Sequence, residues 1–150
     1  MKSIVLNPAL ANVSVIFIYA AMALYTISFL AFANNLARRV SENKKVREAA
    51  GGLEKFAMAM MILAAVSHGI GVVLRGIAAS RVPWANMYEF SITASFLIVI
   101  IFLLSLFFVV GIRIIAVMVS GFALLVLGAA TTWFFVDVKS LMPALQSYWL

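Results

Sequence analysis

Residues 90–134 read FSITASFLIVIIFLLSLFFVV, then GIR, then IIAVMVSGFALLVLGAATTWF, and this stretch decides the fold. Two apolar runs, 90–110 and 114–134, flank Gly111-Ile112-Arg113, and Arg113 is the only charge in the segment. A helix that crosses ~30 Å of hydrocarbon at ~1.5 Å per residue needs about 20 mostly apolar residues. Each run has that length and neither contains a proline. Gly111 ends the first of the two helices. So short a turn forces both spans to pack antiparallel, as a tight helical hairpin.

Working outward, 56–74 and 13–33 are runs of the same kind, again without proline. The fold class is therefore an all-α integral membrane protein: four transmembrane helices in a single transmembrane domain covering 1–150. Composition agrees, with 66% hydrophobic residues and 11% charged, where a soluble domain carries about 25% charge. Mean hydropathy is +1.15. Ala31-Phe32-Ala33 resembles a signal-peptide cleavage site, but the preceding apolar stretch exceeds the usual ~7–15 residues. Arg38 and Arg39 just beyond it resist translocation, so the first span reads as a retained anchor. The absence of cysteine excludes disulfides, thiolate metal sites and thioether attachment to this chain.

Charge sets the expected orientation. The loop 34–55 holds Arg38, Arg39, Lys44, Lys45, Arg47 and Lys55 against Glu42, Glu48 and Glu54. Such a basic loop belongs in the cytoplasm. The N-terminus, the loop 75–89 and the tail 135–150 are then outside, and Arg113 is inside. The net charge of +6 is thus concentrated where anionic lipid headgroups lie, which argues against nucleic acid as a partner. A short surface helix over 42–50, capped by Ser41 and followed by Gly51-Gly52, is expected in the cytoplasmic loop.

The outer loop gathers Arg75, Arg81, Trp84, Asn86, Tyr88 and Glu89 at the mouths of the second and third spans. Asn86, three residues before Glu89 and ahead of an apolar run, fits a capping box. Pro83 stiffens the approach, and Trp84 and Tyr88 suit the membrane interface. Arg75 and Arg81 lie on the side that the charge bias disfavours. Their planar donor forks suit a carboxylate, so they meet either an anionic ligand or lipid on the outer face or Glu89 itself. His68, the only histidine, lies six residues before Leu74, roughly 9 Å below the helix end at ~1.5 Å per residue. Gly71 and Arg75 follow it on the same face, and the glycine leaves room for a close neighbour. A neutral imidazole at that depth either ligates a haem iron or hydrogen-bonds a backbone carbonyl inside the bundle.

Residues 81–90, Arg-Val-Pro-Trp-Ala-Asn-Met-Tyr-Glu-Phe, preceded by His68 and Arg75-Gly76, closely resemble the cytochrome c biogenesis proteins of the CcsA/CcsB/ResC type. Residues 141–150, LMPALQSYWL, are similar to that family's segment leading into its next helix. The resemblance implies a membrane subunit, or a fragment of one, that assists haem delivery and attachment to apocytochrome c on the outer face of the plasma membrane. Haem is the implied cofactor. Apocytochrome c and the other membrane subunit of the maturation complex are the implied partners, alongside membrane lipid. The implied haem-binding residues are His68, Arg75, Arg81, Trp84, Asn86, Tyr88 and Glu89, with His68 the candidate iron ligand. Some relatives carry a histidine at the position of Arg81, which here suits a propionate instead. The family's Trp-Asp pair and external histidines do not occur in these 150 residues, so the chain reads as the N-terminal part of a longer protein or a truncated gene product. Synthase activity is expected of the complete complex rather than of this chain. Two other readings fit the span pattern: a structural membrane scaffold, and a quinone-site subunit of a respiratory complex using His68 and Tyr88.

The orientation is tested by labelling. A cysteine replacing Ser41 is expected to be protected from an impermeant thiol reagent in intact cells, and one replacing Ser80 to be labelled. The reverse pattern would turn the topology over.

Overall fold

The computed structural model describes residues 7–109 and 111–138. It contains four α-helices: α1 (Pro8–Arg39), α2 (Lys44–Ala79), α3 (Met87–Ser105) and α4 (Ala116–Trp133). A 3-10 turn, Ile112–Ile115, leads into α4, and no strand occurs among the described residues. All four helices, the last counted with its 3-10 turn, are long and apolar enough to cross a membrane. They form a ring in which α1 and α2 share the most extensive interface, α4 closes against both α1 and α3, and α3 meets α2 more sparsely.

Lipid tails are as apolar as leucine, so close packing and hydrogen bonds between helices must hold such a ring together. The α1/α2 seam supplies both. Ser14 Oγ donates to the Gly71 carbonyl at 2.7 Å, Ser67 Oγ to Phe17 O at 2.9 Å and Ser28 Oγ to Ala57 O at 3.0 Å. Ala21, Ala57 and Ala64 are wholly buried. At Gly71 a Cβ would lie 2.8 Å from Ile18 Cδ1 and 3.2 Å from Ser14 O, which bears out the expected close neighbour. The outward faces carry Ile16, Ile101, Met118 and Leu125, all exposed, and it is these that meet membrane lipid.

The helix ends explain where each element starts. Asn7 accepts the Leu10 N–H at 3.1 Å and Pro8 occupies the first turn, two standard start signals. The Asn7 N–H also donates to Ala78 O at 3.1 Å, tying the start of α1 to the end of α2. At the opposite end, Arg39 and Arg113 both reach Glu54.

Several expected boundaries are corrected. No separate surface helix occurs over 42–50. Instead α1 continues to Arg39 and α2 begins at Lys44, so the connection is only 40–43. The cap is Asn43, which accepts the Lys45 N–H at 3.0 Å, and Ser41 accepts the Asn43 N–H at 3.3 Å just ahead of it. Gly51 and Gly52 lie inside α2. Two glycines cost about 1 kcal/mol each relative to alanine, too little to break a helix anchored on both sides of them. Similarly, α2 runs on through Arg75 to Ala79 and α3 starts at Met87, which shortens the expected 75–89 loop to 80–86. The α3/α4 hairpin is present, but α3 ends at Ser105, five residues earlier than the expected 110 (110 minus 105). The reversal therefore spans 106–111 plus the 3-10 turn, with Gly111 at φ 87° where an L side chain is strained. The tail 139–150, including the second matching segment at 141–150, lies outside the described residues.

These contacts separate glycines that matter from those that do not. Gly51 and Gly52 have nothing within 4 Å of an added Cβ, so Gly51→Ala and Gly52→Ala should each stabilise α2 by about 0.5–1 kcal/mol. Gly71→Val should lower the thermal midpoint in detergent by pushing α1 from α2. Thermal unfolding of the three purified variants checks the contrast.

Candidate functional site

The 80–86 connection is held by backbone geometry before any side chain acts. Ser80, at φ 51°, ends α2 in the left-handed conformation. Its N–H donates to Ile77 O at 3.1 Å and the Arg81 N–H donates to Gly76 O at 3.2 Å, a Schellman closure of the last turn. The chain then folds back over Gly76, where a Cβ would meet Pro83 Cδ and Arg81 O at 3.2 Å each. Pro83 O accepts the Thr93 hydroxyl at 2.7 Å, pinning the loop to α3.

Asn86 caps α3 as expected, accepting the Glu89 N–H at 2.8 Å. The Glu89 carboxylate does not complete the capping box on Asn86. Its Oε2 accepts the Ala85 N–H at 3.2 Å, and its Oε1 accepts from Arg75 Nε and Arg81 Nη2, both at 3.3 Å. Of the two partners open to the arginines, an external anion and Glu89, the structure pairs them with Glu89. Arg75 and Glu89 are 1% and 0% exposed, so the carboxylate is removed from water and lies between two guanidinium groups. Arg75 Nη2 also donates to Val136 O at 2.6 Å, and its cation stands 4.9 Å above the Tyr88 ring. Tyr88 in turn meets Phe135 edge-on at 5.3 Å. Four parts of the chain thus converge here: the end of α2, the connection, the start of α3 and the segment after α4. Charge beyond what Glu89 neutralises is met by a carbonyl and an aromatic face, the usual company of a cation at membrane depth.

Outside this knot, Val82, Trp84 and Met87 are exposed. They form an apolar fringe on a fixed connection. A cleft of ≈ 310 Å³ opens nearby between the start of α1 and the segment after α4, lined by Pro8, Ala11, Asn12, Val15, Arg75, Phe135, Asp137 and Val138.

His68 lies apart from this knot. It is wholly enclosed, with Nε2 2.9 Å from Ile92 O and Nδ1 3.4 Å from the Tyr25 hydroxyl. A carbonyl only accepts, so Nε2 carries the proton and Nδ1 accepts from Tyr25. The Tyr25 and Phe96 rings close over the imidazole edge-on, at 5.9 and 5.4 Å. An iron would have to displace one of the two hydrogen bonds, so this packing does not fit a haem at His68. Among the described residues no group of three or more His, Asp or Glu side chains is placed to hold a metal ion.

Three partners were not singled out in the sequence. Tyr25 lies 43 residues from His68, and its only local signal is a hydroxyl in an apolar span. Val136 and Phe135 gave no signal at all, since a carbonyl and a phenyl ring are placed by the return of α4. Comparison with protein-family models, with curated proteins and with solved structures returns no match.

Glu89→Gln removes the carboxylate paired with buried Arg75, a change that costs about 3–5 kcal/mol where a buried pair is broken. Asn86→Ala should cost ~0.5–2 kcal/mol and Asn86→Asp little. Denaturant unfolding in mixed micelles checks the order Glu89→Gln, Asn86→Ala, Asn86→Asp from most to least damaging.

Proposed function

We propose that this chain is a membrane subunit of the machinery that delivers haem and attaches it to apocytochrome c. It resides in the plasma membrane with the N-terminus and the α2–α3 connection on the outer face. One observation carries the reading. Among the residues that give the resemblance, Arg75, Gly76, Arg81, Pro83, Asn86 and Glu89 are one contact set: Gly76 under Pro83, Asn86 on Glu89, and Glu89 on both arginines. A loop that only capped a helix would need Asn86 and a stiff approach. It would not need two arginines converging on one buried carboxylate.

In this reading the knot holds the connection rigid so that Trp84, with Val82 and Met87, stands at the membrane surface as a preformed apolar edge. Its occupant is the partner membrane subunit or apocytochrome c bearing the haem to be attached. Arg75, Arg81, Asn86, Tyr88 and Glu89 act as positioning residues. His68 belongs to the bundle interior with Tyr25 and Ile92, and no iron ligand is assigned to this chain. The scaffold reading needs only the cap and the stiff approach, and assigns no use to the two arginines on Glu89 or to the exposed Val82, Trp84 and Met87.

The test uses the complete maturation system, with covalent cytochrome c haem and the level of this chain both measured. Trp84→Ala combined with Val82→Ser is expected to reduce attached haem several-fold at an unchanged protein level. His68→Ala, at normal level, is expected to leave haem content and spectrum unaltered. Full maturation in the Trp84/Val82 variant would favour the scaffold reading. Loss of haem in His68→Ala, restored by added imidazole, would return His68 to the iron.

A further inference from the structure

At the end of the bundle opposite the knot, α1, α2 and the α3/α4 reversal enclose a cleft of ≈ 260 Å³. At ~30 Å³ per water, that volume admits a small polar headgroup. Its polar lining is Asn35, Arg39, Glu54 and Arg113, and its apolar walls include Phe32 and Ile114. Glu54 is ion-paired with both arginines, so the cleft keeps one uncompensated positive charge. The two guanidinium groups are exposed, Arg39 by 54% and Arg113 by 67% of the side chain. Each gives one nitrogen to Glu54 and has further donors in its planar fork.

The second observation is independent of charge. Asn35 is only 5% exposed, and its Oδ1 is buried with no hydrogen-bond partner. Buried amide oxygens are rarely left so, because the lost hydration costs about 1–3 kcal/mol. A cation pair thus stands beside an acceptor that lacks a donor, at the rim of a membrane bundle and flanked by apolar walls.

We propose that this cleft binds the headgroup of an anionic phospholipid carrying a free hydroxyl, of the phosphatidylglycerol class. The phosphate lies against Arg39 and Arg113, a headgroup hydroxyl donates to Asn35 Oδ1, and the first acyl carbons follow Phe32 and Ile114. Basic pockets between transmembrane helices commonly hold anionic headgroups. The additional requirement here is the hydroxyl, which Asn35 imposes. The proposal stands apart from the functional reading above, since it uses none of the same residues.

The experiment titrates short-chain phosphatidylglycerol, phosphatidic acid, phosphatidylcholine and inorganic phosphate into the full chain in neutral detergent. Bound lipid is counted by native mass spectrometry and the thermal midpoint is followed. Phosphatidylglycerol is expected to form a one-to-one adduct and raise the midpoint, with phosphatidylcholine and inorganic phosphate doing neither. Arg113→Gln, at an exposed side chain, should weaken binding by roughly tenfold, the loss of one charge-assisted hydrogen bond. Asn35→Leu should remove the preference for phosphatidylglycerol over phosphatidic acid while keeping the folded midpoint. Arg47→Gln, on an exposed part of α2 outside the cleft, should change nothing. Equal binding of phosphatidylcholine, equal binding of inorganic phosphate, or equal weakening by Arg47→Gln and Arg113→Gln would each overturn the proposal.

Discussion

Glu89 accepting hydrogen bonds from Arg75 and Arg81 is the interaction on which this end of the molecule depends. A carboxylate at the start of a membrane helix is tolerated only if its charge is met nearby, because the hydrocarbon beneath it offers no water. Both guanidinium groups meet it, and the Ala85 N–H adds a further donor. Arg75 is then held in place, and through its second arm it captures Val136 and so the exit of α4. The connection between α2 and α3 becomes a rigid bracket as a result. An exposed tryptophan on that bracket has a defined position.

The same two-to-one pattern recurs at the other end with different physics. Glu54 also meets two arginines, but Arg39 and Arg113 are more than half exposed, whereas Arg75 is 1% exposed. Glu54 itself is only 12% exposed, but both guanidinium groups stay in contact with solvent, so they can exchange partners with lipid or water. Losing the carboxylate at the buried end takes the paired charge from Arg75, which water does not reach. Stoichiometry is shared by the two clusters, and burial separates a lock from an open cleft.

Between the ends, the closest approaches of α1 and α2 are made by small residues, with Ile18, Met61, Ile92 and Leu127 filling the core around them. Serine hydroxyls on backbone carbonyls and alanines and a glycine at close approach join α1 to α2. The large apolar side chains mostly face outward to lipid. That inversion is why residues such as Ser14, Ser28 and Gly71, which look like interruptions in an apolar run, are the ones that specify the packing. His68 belongs to this class. It joins three helices through Ile92 and Tyr25, and its burial follows from packing.

Four spans, the cap at Asn86 and the α3/α4 hairpin were legible because each rests on local chemistry: apolar run length, a side chain reaching its own helix start, a glycine in the left-handed region. Boundaries were less legible. The expected loop at 34–55 is mostly helix, since charge marks where a helix leaves the membrane and not where it ends. The sequence by itself thus determined the membrane fold and the set of residues gathered at the α2–α3 connection. Only the tertiary structure decided that the arginines take Glu89, where His68 sends its two nitrogens, and that Asn35 and Arg113 line one cleft. Those choices depend on helices brought together from distant parts of the chain, and no periodicity along one helix records which neighbour it will face.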